Sequence, residues 1–456
     1  MRSMSSQLAR SEPLATRRAD WAPRDRAEAV LDLIRELFPI KGLMVSPDLD
    51  RAMARLAEEL PGLVIHEYPS GLECEDWIVP QSWEAKAARL TDEQGRVLAS
   101  LDEHFLFVAP YSEPVDGWFT KEEIAAHSRT RPDVPDAYLL EHRNAYNYSL
   151  VDWGITLPYR VWEQLSDGAR YRVEIEVETK PGVMRVAEYF LPGRRPEVIC
   201  LNGHIDELCN DDLSGTILGL EVMRGLIERP EREFSYQLLL APEMMGTLFY
   251  VLNNRERVAK TVGMLNLEAV GAGESWALKR AFKDGELFEE SLRAAFARLG
   301  YGYEELDFFD GYGNDERVIA WPTIGIPGIG LQRHPFAEYH TSKDTPELLS
   351  LDLLTEAIEI CDAFIDVMER NYVPAYVNFA QPWLTRHGLY FDAVEDRENF
   401  RKFNNLVLFN LDGEKSVLEL ARLSGLDFDT VWRFLEAFVE KRLVRKQPLP
   451  LAAKAG

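Results

Sequence analysis

Cysteine is scarce in this 456-residue chain: there are four, at Cys74, Cys200, Cys209 and Cys361, scattered and without paired spacing. That excludes a disulfide scaffold and suits a reducing, cytoplasmic setting. Long apolar runs are missing too; none reaches the roughly 18 residues that span a bilayer, so no membrane partner is expected. Positive charge is in deficit, with 51 Lys and Arg against 76 Asp and Glu and a formal charge of −25. Such a surface repels phosphate backbones and argues against nucleic acid as the main partner. The basic N-terminus, MRSMSSQLARSEPLATRRAD, lacks the apolar core of a secretory signal and reads as part of a disordered tail over residues 1–25. Several catalytic signatures are also wanting: no GxSxG elbow, no P-loop, no GxGxxG after a strand and no HExxH.

What remains is an ordinary globular composition, 46% hydrophobic and 28% charged, in a chain long enough for more than one core. Helical periodicity runs from about Arg26 through RAEAVLDLIREL and again through DLDRAMARLAEEL, followed by a strand, VIHEYPSG. Residues 72–167 have another texture, rich in aromatics and turns, which predicts a small β-rich inserted domain. YRVEIEVETK and MRVAEYFLPG then read as a hairpin, after which strands and helices alternate: EVICLNGHID, SGTILGLEVMRGLIER, SYQLLLAPE, GMLNLEAVG, GELFEESLRAAFARLG and SLDLLTEAIEICDAFIDVMER. This order predicts an α/β fold over 26–71 and 168–372, a mixed sheet with helices on both faces. NYVPAYVNFAQP reads as a linker into residues 373–456, where three short helices and a two-strand remnant in RLVRKQPL outline a winged-helix-like unit. Its last helix carries Asp427, Asp429, Glu436 and Glu440 against Arg433 and Lys441, the wrong balance for reading DNA. It is expected instead to dock on the catalytic domain or on a second subunit of a homo-oligomer.

The chemistry concentrates at strand ends, where open α/β sheets carry their sites. In GHIDELCNDDLSG, His204 and Asp206 close a buried strand, and Asp211-Asp212 precede a helix. Glu243 follows SYQLLLAP, Glu268 follows GMLNL, and His340 lies in EYHTSKDTPELLS, where Asp344 or Thr345 would cap the next helix. His204, Asp211, Glu243, Glu268 and His340 are a mixed N/O set suited to one or two zinc ions. Asp206 would orient the His204 ring. The bland alternatives are a strand-end histidine with a capping aspartate and carboxylates that end strands in solvent. The remaining histidines (His66, His104, His127, His142, His334 and His387) lack a partner motif and read as structural, and Cys209 reads as a small buried side chain.

These strings resemble the di-zinc aminopeptidase family that includes bacterial leucyl aminopeptidases and, more distantly, glutaminyl cyclases. The matching pieces are His204-Ile205-Asp206, Asp211-Asp212-Leu213-Ser214-Gly215, Pro242-Glu243, Glu268, and Tyr339-His340-Thr341 with Asp344-Thr345. DWIVPQSW, YSEPVDG, GNDERV and YHTSKDT resemble more closely a bacterial aminopeptidase-like branch, with an inserted domain and a C-terminal winged helix, that is sometimes linked to polysaccharide biosynthesis. The resemblance implies that Asp211 bridges two metals, with a non-proline cis bond to Asp212. It implies that His204 and Glu268 complete one metal and that Glu243 and His340 complete the other. Tyr339 stands where some members polarise the scissile carbonyl with a phenol. The family has two consecutive acids, base then ligand, whereas here Pro242 fills the first slot. Either Glu243 takes the base role, or another acid such as Glu207 does, or the reaction differs. The expectation is a zinc-dependent hydrolase cleaving an amide in a peptide or aminoacylated small molecule. The alternatives are an amide-forming or cyclising enzyme on the same site, or a non-catalytic metal-binding scaffold with a protein-docking winged helix.

Overall fold

A computed structural model describes residues 21–38, 43–141, 152–390 and 397–451. Its centre is an eight-stranded mixed sheet in the order Val64–Pro69, Val183–Leu191, Ser235–Ala241, Val198–His204, Thr261–Glu268, Gly328–His334, Ser275–Lys279 and Tyr303–Leu306. The four strands Ser235–Ala241, Val198–His204, Thr261–Glu268 and Gly328–His334 run parallel, so their carboxyl ends emerge along one edge. Parallel strands are covered on both faces, which is why these segments read as unbroken apolar runs. Every residue of Val198–His204 and of Ser235–Ala241 is buried.

Side-chain alternation divides the sheet between two cores. Leu201, Leu238, Leu265 and Ile329 face one core with helices Pro23–Leu37, Leu213–Glu228, Glu286–Leu299 and Leu351–Arg370. Cys200, Leu239 and Met264 face the other with Phe249 and Tyr250 of helix Met245–Asn253. Arg26 ties three of these helices together, reaching Glu221 at 3.1 Å and Asp362 at 2.5 Å.

A smaller four-stranded antiparallel sheet, ordered Val97–Ser100, Ser82–Thr91, Arg170–Lys180 and Val115–Thr120, has its own core of Leu90, Phe107, Ile124, Val173 and neighbours. Leu208, from the loop after His204, joins that core, while Ile205 and Cys209 of the same loop join the main one. The loop is therefore clamped between two packed units. Past Arg370 the chain forms a helical part with a core of its own, built on Phe403, Val417, Val431, Leu435 and Phe438.

Some expectations need correction. Arg170–Lys180 and Val183–Leu191 are not a hairpin; they belong to different sheets. The chain switches at Gly182, whose N–H donates to Ser70 Oγ at 2.9 Å and where a Cβ would meet Val45 at 2.6 Å. The segment read as a linker opens with a strand, Val373–Tyr376, paired with Val444–Gln447 seventy residues away. The first helix starts at Pro23, inside the expected tail, with proline in the first turn where its missing N–H costs nothing; residues 1–20 lie outside the described residues. Thr345 is the N-cap residue of a short 3-10 helix, Pro346–Leu348, without a side-chain bond, and Ser350 caps the long helix Leu351–Arg370.

Candidate metal centre

Four turns at the carboxyl edge of the sheet bring the site together. Helix Leu213–Glu228 approaches so closely that a Cβ on Gly215 would meet Leu267 O at 2.3 Å. Glycine in the DLSG string is thus required by packing. Of the eight non-glycine residues with positive φ among the described residues, four sit in these turns: Glu207, Met244, Ala269 and His340. Such backbone is uncommon for residues with a side chain and concentrates where function over-determines geometry.

Asp211 is the centre of the arrangement. One of its oxygens, Oδ1, lies 3.3 Å from His204 Nε2, and the other, Oδ2, lies 3.0 Å from His340 Nε2. The peptide bond between Asp211 and Asp212 is cis. His204 turns its other nitrogen, Nδ1, to Asp206 at 3.3 Å, and its Nε2 also stands 3.5 Å from Glu268 Oε2. Burial opposes charge on His204, but Glu268, Asp206 and Asp211 overrule it and hold its pKa well above the ordinary value. Burial likewise works to raise Asp211, and the two imidazoles reverse the effect and keep its pKa low. Glu268 is pushed up to about 8, by burial first and against the pull of His204.

The donor atoms form two sets, each lying within 4.8 Å of one another: His204, Asp212 and Glu268, and His204, Glu207 and Asp211. Glu207 also stands 3.4 Å from His340 Nε2, and burial together with Asp211 and Glu243 raises its pKa well above the carboxylate range. Glu243 belongs to neither set. Its N–H donates to Asp206 Oδ1 at 2.9 Å, and its charge is felt by Glu207 and Tyr339. Tyr339 stacks on His340 with ring centres 3.8 Å apart and on Tyr312 at 4.4 Å. Its phenol pKa is raised, by burial and then by Asp211, Glu268, Glu207 and Glu243, so the hydroxyl stays protonated.

A surrounding shell fixes these groups. Asp344 accepts the N–H groups of Asn210 at 2.7 Å and Asp211 at 3.1 Å. Asn314 donates to Glu268, and Asp315 accepts Met244 N–H at 2.7 Å. Asp212 Oδ1 accepts from Gly215 N–H at 2.9 Å and Ala269 N–H at 3.2 Å. The small-sheet unit reaches the His340 turn: Leu140 N–H donates to His340 O and Ser342 N–H to Tyr138 O, each at 2.9 Å. Sequence reasoning missed Asn314, Asp315 and the ligand geometry of Asp212, and considered Glu207 only as a stand-in base. The GNDERV string was visible but carried no local signal of chemistry.

The residues fit a divalent metal. Glu268 Oε1 and Asp212 Oδ2 are buried without a hydrogen-bond partner, and buried carboxylates in that state are costly unless a cation compensates them. The two histidines face Asp206, Glu207, Asp211, Asp212, Glu243 and Glu268, an excess of negative charge that a dication offsets. Cys209 is buried and lies in neither donor set. His66 bonds Glu188 at 2.8 Å and His127 Nδ1 lies 3.1 Å from Trp153 O; His104, His334 and His387 are in neither donor set, and His142 falls outside the described residues.

The family model described as Domain of unknown function (DUF4910) matches residues 31–371. The chain belongs to the DUF4910 family. A Clostridium acetobutylicum protein, provisionally described as a polysaccharide biosynthesis protein with an aminopeptidase-like domain, is 28% identical over 429 residues, covering 91% of this chain and 96% of the relative. A crystal structure from the same organism, provisionally described as a peptidase, is 27% identical with TM-score 0.80, covering 93% of this chain and 97% of its own. A zinc aminopeptidase from Bacillus subtilis shares the fold, with TM-score 0.55 at 16% identity over 74% of this chain and 94% of its own. The DUF4910 chain is thus a mixed α/β protein of the aminopeptidase-like fold, and its relatives are of peptidase type. No helix among the described residues is long and apolar enough to cross a membrane.

Proposed function

We propose that this protein is a zinc-dependent hydrolase that cleaves an amide bond in a peptide or an aminoacylated small molecule. The observation that carries the reading is Asp211, whose two oxygens are divided between His204 and His340. His204, Asp211 and Glu268 would hold one ion. Asp211, His340 and a glutamate would hold a second, Glu243 by its place in the sequence pattern or Glu207 by its distance to Asp211. When bound, zinc polarises a carbonyl and lowers the pKa of water.

The chain's own groups supply the rest. Asp206 orients His204 through Nδ1. Tyr339, kept protonated, donates its phenol hydrogen to the substrate carbonyl. With Pro242 in the slot of the usual base, Glu207 is the carboxylate placed to take the proton of the attacking water: it borders the cavity described below and is nearly enclosed. We assign the protein to the cytoplasm, with no nucleic acid or membrane partner, and the C-terminal helical part to docking within the chain or against a second copy.

Turnover of aminoacyl p-nitroanilides, with and without chelator, tests the reading. Zinc-dependent release of p-nitroaniline by the wild type, lost in His204→Ala, supports it; metal-independent release or none counts against it. Pro242 favours a second reading, formation or cyclisation of an amide on the same site. A Pro242→Glu variant that gains hydrolysis over the wild type would point that way.

A further inference from the structure

A cavity of about 580 Å³ opens beside Asp206 and Glu207, on the seam between the main sheet and the small-sheet unit. One wall is Trp83, Ala85, Phe105, Leu106 and Tyr111, all supplied by the small-sheet unit; Leu43 and Met44 form part of the other. Trp83 is fixed in place: its indole N–H donates to Ser112 O at 2.9 Å and its ring packs on Tyr111. Away from the metal end, the charged side chains among the described lining residues are paired. Arg51 is held by Asp48, Glu84 by Lys86 and the buried Glu141 by Arg129. At the metal end stand Asp206 and Glu207.

We propose that this cavity binds a large apolar group of the substrate, arylalkyl-sized or bigger, and that the small-sheet unit sets this specificity. The proposal rests on the amide-hydrolase reading for its chemistry, but not for its binding. The volume lies in the range that encloses a whole small-molecule ligand and exceeds the need of one short aliphatic side chain. Among the described residues Arg51 is the single Lys or Arg on the lining, and it is paired with Asp48. The preferred substrate is therefore an amide with a bulky aromatic or aliphatic group.

The test compares zinc-loaded wild type with Ala85→Trp, which places an indole in the cavity, and with the smaller plug Ala85→Leu. Substrates are alanyl, leucyl, phenylalanyl and 2-naphthylalanyl p-nitroanilides. In parallel, calorimetry measures binding of 2-naphthylalaninamide and alaninamide. In the wild type, kcat/KM should rise at least about tenfold from alanyl to naphthylalanyl, as pocket-filling groups typically give. The ratio should fall in Ala85→Leu and approach one in Ala85→Trp. A wild type that prefers alanyl, or shows no preference, overturns the pocket while the hydrolase reading stands. If no anilide turns over, the hydrolase reading fails, and calorimetry decides the pocket alone. Naphthylalaninamide binding at least tenfold tighter than alaninamide, and weakened by Ala85→Leu, supports it; equal or absent binding overturns it.

Discussion

Asp344 touches no predicted ligand side chain, yet its carboxylate holds the backbone on which Asp211 is mounted. Its two oxygens accept the N–H groups of Asn210 and Asp211 at 2.7 and 3.1 Å, and the side chain is 1% exposed. In Asp344→Asn one oxygen is replaced by an NH2 that faces a backbone N–H. One hydrogen bond is lost and one buried donor is left unpaired, a cost of about 2 kcal/mol. In Asp344→Ala both donors are orphaned, so the cost rises to about 3–4 kcal/mol on the same scale. Because Asp211 is the shared carboxylate, its displacement should weaken zinc binding by about 10–100-fold, the usual price of losing an outer-shell partner. Competition against a chromophoric chelator gives the affinity, and thermal denaturation of the metal-free protein gives the stability order, wild type above Asn above Ala. Zinc affinity of Asp344→Asn within twofold of wild type, or Ala no worse than Asn, would refute the reasoning.

Arg26→Met should lower the urea midpoint measurably, by about 3 kcal/mol in stability, because it takes from the 1% exposed Glu221 carboxylate its 3.1 Å cationic partner, Arg224 standing farther off at 3.5 Å; adding Glu221→Leu should recover most of the loss. Glu188 is raised by burial but lowered more by His66 and Arg257, so its folded pKa lies below the ordinary value. Its contribution is present above about pH 4.5 and lost as pH falls through the depressed pKa, so the stability gap between wild type and Glu188→Gln should be largest near pH 7 and close under acid denaturation. Leu140→Pro removes the N–H that holds His340 O and should lower zinc affinity, whereas Leu140→Ala keeps the donor and should stay close to wild type in the same chelator assay.

How much of the site was legible depends on how local each signal is. Apolar runs that end abruptly in His204, Glu243 and Glu268 are what doubly covered parallel strands look like in sequence, so their convergence on one edge could be read from pattern alone. Asp211-Asp212, just ahead of a helix, and His340, in the EYHTSKDT loop, stood out by their own strings, and the structure places Asp211 and Asp212 beside His204 and His340 beside Asp211. The shell was not legible. Asp344 meets Asn210 across 134 residues and Asn314 meets Glu268 across 46, and nothing in the local sequence of either partner marks such a contact. Two alternating segments joined by Pro181-Gly182 imitate a hairpin, and only the contacts of Gly182 with Ser70 and Val45 reveal that the chain is changing sheets. Strand Val373–Tyr376 was hidden for a similar reason, since its partner arrives at the end of the chain.

The central claim is that Asp211 joins two imidazole-bearing metal positions. Elemental analysis of protein purified without added metal, for wild type, His204→Ala, His340→Ala and Asp211→Asn, tests it most directly. The account predicts up to two equivalents of zinc per chain in the wild type, a loss in each histidine variant and the largest loss in Asp211→Asn. Equal zinc in all four proteins, or none in the freshly purified wild type even after zinc is supplied, would contradict it.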